Sequence, residues 1–312
     1  MSNKKFCIFG PSYKGERSRS IHLIYDAAKR MGLDVYVLPK RKLLGYIDEN
    51  GIFKFRSLDP DIVLDEIDVF YFRMVTGIID GRTKARYRIF PEMITFAKYL
   101  HFQLGKKVYD SFLLRPDPNF TKITNMYLLS QNGIPNIQTW FFLNKKQVLK
   151  HLHFIKFPII IKPANGTQGR GVKRFDTKEE FIEYLKNEES IIFYPNIIQT
   201  AIENDGDYRL VVIGDQVVAA LWKKRDPNKI VANMSQGNNA IPIKPDKELE
   251  ELAVKSAKIL GIDFAGVDII EDKITGKRYV LEVNLSPQIF YSTKYSNVSI
   301  AEEFVKFIIE KS

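Results

Sequence analysis

The chain has 312 residues, 45% of them apolar and 27% charged, and carries a formal net charge of +10. These are ordinary globular values, and the length allows two or three domains with good cores. One cysteine, Cys7, excludes an internal disulfide or a thiolate metal site, and no apolar run approaches the roughly 18 residues of a membrane span.

The four apolar residues that follow the first lysines are too few for a signal peptide, so a reducing cytoplasm is the expected location. The positive charge is uneven. Residues 1 to 120 hold 21 Lys/Arg against 14 Asp/Glu, and the remaining 192 hold 26 against 23. Such a field serves either plain solubility or the attraction of an acidic substrate, a nucleic acid or an anionic surface.

In chain order, Lys5 to Phe9 predicts a strand, Ser20 to Met31 a helix ended by Gly32, and Asp34 to Leu38 a second strand, so the chain opens as a βαβ unit. The loop between the first strand and helix has too few glycines, wrongly spaced, for a dinucleotide fingerprint. Val69 to Met74 reads as a strand, Pro91 to Leu104 as a helix and Lys107 to Asp110 as a short strand. The turn-rich Arg115-Pro116-Asp117-Pro118-Asn119 marks a domain boundary near residue 113.

Beyond it come a helix over Phe120 to Gln131, a strand over Gln138 to Phe142 and a helix over Lys145 to Ile155. Pro158 to Lys162 and Val172 to Phe175 read as strands on either side of a glycine loop. Thr177 and Glu180 form a capping box for a helix to Lys186. Ile191 to Tyr194 and Ile197 to Ile202 are extended, and Gly214-Asp215 turns a hairpin. Asp246 to Leu260 is an amphipathic helix closed by Gly261, and Ser299 to Glu310 a final helix. The first part is therefore α/β and the second α+β.

Phe264 to Glu271 and Arg278 to Asn284 form the hairpin on which the chemistry rests. Strict alternation puts Tyr279, Leu281 and Val283 on one face and Glu282 with Asn284 on the other. If Asp268 pairs with Glu282, two carboxylates and an amide converge, a set of oxygen donors suited to Mg²⁺. A solvated hairpin face is the alternative, and a one-residue slip would end the metal reading. Lys162 ends a buried-type strand four residues before Gly166-Thr167-Gln168-Gly169-Arg170-Gly171, which is either an anion-binding loop or a flexible turn. It is not a Walker A loop, because Val172 stands where lysine is needed. Lys122 stands near the start of the helix over Phe120 to Gln131, where its charge opposes the dipole unless a phosphate lies nearby; a solvated surface lysine is the alternative.

This order resembles the ATP-grasp superfamily, and within it the RimK-like carboxylate–amine ligases. The motifs carrying the resemblance are FPIIIKPANGTQGRGV (157 to 172), DYRLVVIGDQVVAA (207 to 220) and AGVDII with LEVNLSP (265 to 287). The resemblance implies an N-terminal βαβ domain (1–113) followed by central (114–195) and C-terminal (196–312) subdomains that clamp ATP. It also implies that Lys122 and Lys162 contact phosphates and that Gly166, Thr167, Gln168, Gly169 and Gly171 cover them. Gln199, Thr200, Ala201 and Ile202 would form the adenine hinge, with Asp207 and Asn233 near the nucleotide. Arg209 would line the catalytic site, and Asp268, Glu282 and Asn284 would hold Mg²⁺, or alternatively Mn²⁺.

The chain departs from the family pattern in three segments. Thr200 and Ala201 replace an acidic residue and an aromatic, Val231 and Gln236 stand where arginines are usual, and Gln288 replaces a glycine. Lys223, Lys224 or Arg225 could substitute for the arginines, Lys223 being the catalytic candidate. The implied activity is ATP- and Mg²⁺-dependent joining of a carboxylate to an amine through an acyl phosphate, with amino-acid or peptide substrates of the glutamate-ligase kind. The basic N-terminal part, with Arg73 at a strand end, would suit an acidic acceptor, and homo-oligomers are common among relatives. An ATP-binding protein of the same fold with kinase-like or little activity is the alternative. A nucleic-acid module has no motif to support it, and His22, His101, His151 and His153 lack zinc-site spacing.

Overall fold

The computed structural model describes residues 4–10, 19–73, 91–116, 118, 120–164, 171–187, 196–225 and 240–311, with backbone alone for 77–78 and 86–87. The N-terminal strands are β1 (Lys5–Gly10), β2 (Asp34–Pro39), β3 (Leu43–Ile47), β4 (Phe53–Ser57), β5 (Val69–Phe72), β6 (Gly77–Ile78), β7 (Arg86–Tyr87) and β8 (Lys107–Tyr109). Helices α1 (Arg19–Arg30) and α2 (Pro91–Lys98) accompany them. Strands β1, β2, β5 and β8 form a parallel sheet in the order β2-β1-β5-β8. Both faces of this sheet are covered, so its strands are continuously apolar rather than alternating. On β1, Phe6 and Ile8 enter one core while Cys7 and Phe9 enter another. Cys7 is a small core residue, and burial pushes its thiol up to about 12.

The remaining helices are α3 (Lys122–Gln131), α4 (Lys145–Lys150), α5 (Lys178–Asn187), α6 (Lys247–Leu260), α7 (Ile289–Ser296) and α8 (Ile300–Lys311). A second sheet has the order β11-β10-β12-β9, from β9 (Thr139–Phe141), β10 (Ile159–Pro163), β11 (Lys173–Phe175) and β12 (Asn196–Thr200). The third is antiparallel, β15-β14-β13-β16-β17, from β13 (Gly206–Ile213), β14 (Gln216–Lys224), β15 (Ala240–Pro242), β16 (Phe264–Glu271) and β17 (Arg278–Asn284).

Core composition explains how these layers are joined. The first two cores mix residues of the parallel sheet with residues of the third sheet and its helices: Phe72 shares one with Val267, and Tyr71 shares the other with Phe264 and Phe304. The second sheet has a core of its own, built from Val148, Ile159, Ile161, Phe175, Phe181 and Ile198 among others. Helix α3 belongs with the larger body, through Leu129 and its packing on α6.

Three local differences from the sequence reading have physical causes. The helix expected over Lys145 to Ile155 breaks at His151 into α4 and a 3₁₀ turn over Leu152–Phe154. The break leaves the His151 and His153 rings 6.0 Å apart rather than on diverging helical faces. The strict alternation assumed for β17 fails at a bulge: Asp268 pairs with Glu282 but Ile269 pairs with Val280, leaving Leu281 as the extra residue. Val280, not Leu281, therefore joins Val283 in the core. The hairpin β3–β4 and helix α7 carried no sequence signal strong enough to be assigned. Among the described residues, no helix is long and apolar enough to cross a membrane.

Candidate active site

Four neighbouring strands of the third sheet deliver one polar cluster. On β13, Asp207 and Arg209 are two apart and share a face. Register places Asp207 opposite Lys223 of β14 and Arg209 opposite Asp268 of β16. Asp268 in turn faces Glu282, and Gly266 faces Asn284. Arg209 Nη1 donates to Asp268 Oδ2 at 2.5 Å, Lys223 Nζ to Asp268 Oδ1 at 2.9 Å and Asn284 Nδ2 to Asp268 Oδ2 at 3.1 Å. Lys223 also pairs with Asp207.

Asp207, Arg209, Lys223 and Asp268 are all buried. Charges removed from water persist only when paired and hydrogen-bonded, as these are. Burial is the largest influence on Asp268 and opposes its ionisation, but the Arg209 and Lys223 charges outweigh it and hold the carboxyl below the usual range. Asp207, for which burial counts most, is pushed up to about 6 despite Lys223. The paired Lys223 ammonium is held above the ordinary lysine value, its two carboxylates overriding the cost of burial.

Lys122 is the first residue of α3, capped by Thr121, whose hydroxyl accepts from the Thr124 amide at 3.1 Å. Its ammonium lies 3.8 Å from Glu282. Lys162 reaches the same place from β10, on the other body. Its value is lowered to about 8, by burial above all and then by the Lys122 charge, against the pull of the Glu282 and Asp268 carboxylates. Lys162 therefore senses both Lys122 and the carboxylates of the facing sheet, so the two bodies share one cleft. Counting Lys122, Lys162, Arg209 and Lys223 against Asp207, Asp268 and Glu282 gives four cations to three anions, a site poised for an anionic ligand.

The hinge segment joins the two bodies. Gln199 is buried and donates to Thr139 Oγ1 at 2.8 Å, so its side chain is a brace within the sheet rather than a free recognition group. The Ala201 amide donates to the Pro158 carbonyl at 2.9 Å. Among the described residues the Ala201 carbonyl and the Ile202 amide have no partner, and the buried Thr200 hydroxyl is orphaned. A flat ring bearing both a donor and an acceptor fits such an edge. Gly171 closes the glycine loop at φ 77°, where an added Cβ would lie 3.0 Å from Pro163 Cγ. Gly166, Thr167, Gln168, Gly169 and Asn233 lie outside the described residues, as do Val231 and Gln236.

Two residues take parts that the sequence reading did not give them. Arg73, 7% exposed at the end of β5, donates from Nη2 to the Pro287 carbonyl at 2.8 Å and from Nη1 to Tyr71 Oη at 3.3 Å. Its expected role as an open acceptor-binding group gives way to an internal one, because one donor is spent on Pro287 in the loop that follows β17 and another on Tyr71. Gly266 lies under Arg209, and the signal was present: glycine within a strand marks a close approach.

A divalent cation would find hard oxygen donors on Asp268, Glu282 and Asn284, brought to adjacent ladder positions by the Asp268–Glu282 pairing. Among the described residues no three His, Cys, Asp or Glu side chains form a metal cage by themselves. Two carboxylates and an amide nonetheless fit Mg²⁺, which usually takes one or two protein carboxylates and completes its shell with substrate phosphates and water.

The profile of the RimK-like ATP-grasp domain matches residues 120–308. The chain belongs to the RimK-like ATP-grasp family. It is 33% identical over 195 residues to the alpha-aminoadipate–LysW ligase LysX of Saccharolobus solfataricus, covering 61% of this chain and 69% of that one. A probable alpha-L-glutamate ligase of Haemophilus influenzae (strain PittEE) is 30% identical over 311 residues, covering 94% and 95%. The solved ATP-grasp ligase PsnB, complexed with a minimal precursor, has the same fold, with a TM-score of 0.69 at 20% identity over 98% of both chains. As a RimK-like ATP-grasp protein, the chain is an ATP-dependent ligase that joins a carboxylate to an amine, with ATP and a divalent metal as its requirements.

Proposed function

We propose that the cleft between Lys162 and the Asp268–Glu282–Asn284 hairpin holds ATP with Mg²⁺, Mn²⁺ being the substitute metal. The ligase would extend an amino acid or peptide of the glutamate class. The observation that carries this reading is the approach of Lys162, from one body, to Lys122, Glu282 and Asp268 on the other. Lys122 and Lys162 hold the β- and γ-phosphates, Gly166 to Gly171 covers them, and the Ala201 carbonyl and Ile202 amide receive adenine. Asp268, Glu282 and Asn284 would hold the metal, which would supply positive charge against the phosphates.

The substrate carboxylate oxygen attacks the γ-phosphorus and ADP leaves, giving an acyl phosphate. The amine then attacks the carbonyl carbon, inorganic phosphate departs, and the ammonium proton is released to solvent. Lys223 and Arg209 stabilise charge on the transferring phosphoryl group, the work that arginines at positions 231 and 236 would otherwise perform. No side-chain nucleophile is required. Positioning and exclusion of water supply the rate.

ADP release with L-glutamate or glutamate-ended peptides, assayed with and without amines, tests the reading. Amide product in step with ADP is expected, and Glu282→Gln should reduce it at least about a hundredfold. Steady ADP release that never requires an amine would sink the ligase chemistry at this site.

A further inference from the structure

Among the described residues the second sheet ends at β9, whose outer edge pairs with no further strand. The Thr200 amide donates to the Gln138 carbonyl, so Gln138 and Trp140 turn their backbone groups inward to β12. By the alternation of an antiparallel ladder, Thr139 and Phe141 turn theirs outward. Among the described residues those outward N–H and C=O groups have no partner. An open groove of about 570 Å³ lies there, lined by every residue from Gln138 to Phe142, with His151 and Phe154 opposite. Consecutive residues of a strand point to opposite faces, so a groove touching all of them runs along the edge rather than across one face.

Its aromatic residues are open to solvent: Phe141 and Phe154 are each 58% exposed, and Leu143 just beyond the groove is 63% exposed. The chain segment that builds the groove carries charge of a single sign. Between Asp117 and Asp176 there is no Asp or Glu, against nine Lys and Arg. Of these, Lys146, Lys150 and Lys156 are exposed on the segment that forms the far wall. A short edge strand bordered by lysines can also be a defence against unwanted pairing. Such a defence does not need two half-exposed phenylalanines facing each other across a groove.

We propose that the free edge of β9 docks an acidic peptide segment in extended form, as a fifth strand of this sheet. Its main chain would bond to Thr139 and Phe141, its apolar side chains would meet Phe141 and Phe154, and its carboxylates would face Lys146, Lys150 and Lys156. The docking requires no nucleotide, so it stands or falls separately from the chemistry of the cleft.

Fluorescence polarisation of the full chain with a labelled peptide alternating glutamate with valine and phenylalanine tests this, against the same peptide with lysine for glutamate. Saturable binding of the acidic peptide, at least about tenfold tighter than its lysine counterpart, is expected, together with slowed exchange of the Phe141 amide. Phe141→Pro removes an outward N–H that the ladder does not use, so it should cost at least tenfold in peptide affinity at an unchanged melting temperature. Should that variant fail to fold, Lys146→Glu with Lys150→Glu carries the same expectation. The proposal is overturned if the acidic peptide does not bind, if neither variant weakens it, or if the variants abolish only self-association of the chain.

Discussion

Arg209 lies flat against the backbone of Gly266. A Cβ placed on Gly266 would fall 2.5 Å from Arg209 Cζ and 2.9 Å from its Nε. The guanidinium is held over the strand while Nη1 reaches Asp268. Glycine at 266 is therefore what allows a buried arginine to lie beside the candidate metal ligand. Gly266→Ala must push Arg209 off Asp268, which leaves a buried carboxylate short of a partner at about 3 kcal/mol. The expected result is a loss of turnover of about a hundredfold, with a lowered melting temperature. Turnover within twofold of the parent enzyme would contradict the placement of Arg209.

Arg73 ties the parallel sheet to the loop after Asn284 through the Pro287 carbonyl. Charge-assisted hydrogen bonds of this kind contribute about 1.5–3 kcal/mol, most of it lost when the donor is removed. Arg73→Gln should loosen the Leu285–Gln288 amides in hydrogen exchange and lower kcat about tenfold, with a smaller effect on ADP affinity. Arg73→Lys should recover part of kcat. Unchanged exchange across that loop in Arg73→Gln would show that the bond does not hold it.

Lys162 supplies a pH dependence whose sign is set by burial. Its value falls to about 8, against 10.5 for an unperturbed lysine. Between these values the native state has lost the proton and the unfolded chain keeps it, so this group makes the free protein more stable as pH rises through that window. Nucleotide binding runs the other way, because a triphosphate favours the ammonium form. ATP affinity should fall as pH rises above about 8, and calorimetry in buffers of different ionisation enthalpy should detect proton uptake on binding. Lys162→Met should abolish the uptake; if it persists unchanged, another group is responsible.

Asp110 is fully buried. Its Oδ1 accepts from the Asp263 and Phe264 amides at 2.9 and 3.1 Å, while Oδ2 has no partner. Burial above all, then the Asp263 carboxylate, raises it well above the ordinary value; the two amides and Arg73 oppose the rise. Asp263 is itself raised by burial, against the pull of Ser111 and Lys107. Above the unfolded value near 4, the unfolded chain releases this proton and the native state keeps it, so stability falls as pH rises towards the native value. Asp110→Asn keeps the accepting oxygen and removes the ionisation. It should be more stable than the parent at pH 7, with a flatter stability–pH profile on denaturant titration. Equal or lower stability at pH 7 would contradict the account.

The hairpin of β16 and β17 was legible because residues on opposite strand faces alternate, so Glu282 and Asn284 sort to one side from spacing alone, while Asp268 joins them only through the register that pairs it with Glu282. The bulge at Leu281 was not legible, since nothing local marks where a ladder takes an extra residue. The break at His151 was hidden for a similar reason: the apolar spacing of Val148, Leu152 and Ile155 suits one long helix as well as a helix followed by a 3₁₀ turn.

By itself, then, the sequence determined the shared face of Glu282 and Asn284, the helix near whose start Lys122 stands, and the family pattern. Only tertiary packing decided that Lys162 meets Lys122 and Glu282 across a cleft, that Arg73 serves the Pro287 loop, and that Gly266 makes room for Arg209. Spacing along a chain fixes directions within one element. Which elements face each other depends on cores assembled from residues hundreds of positions apart, such as Tyr71 with Phe304.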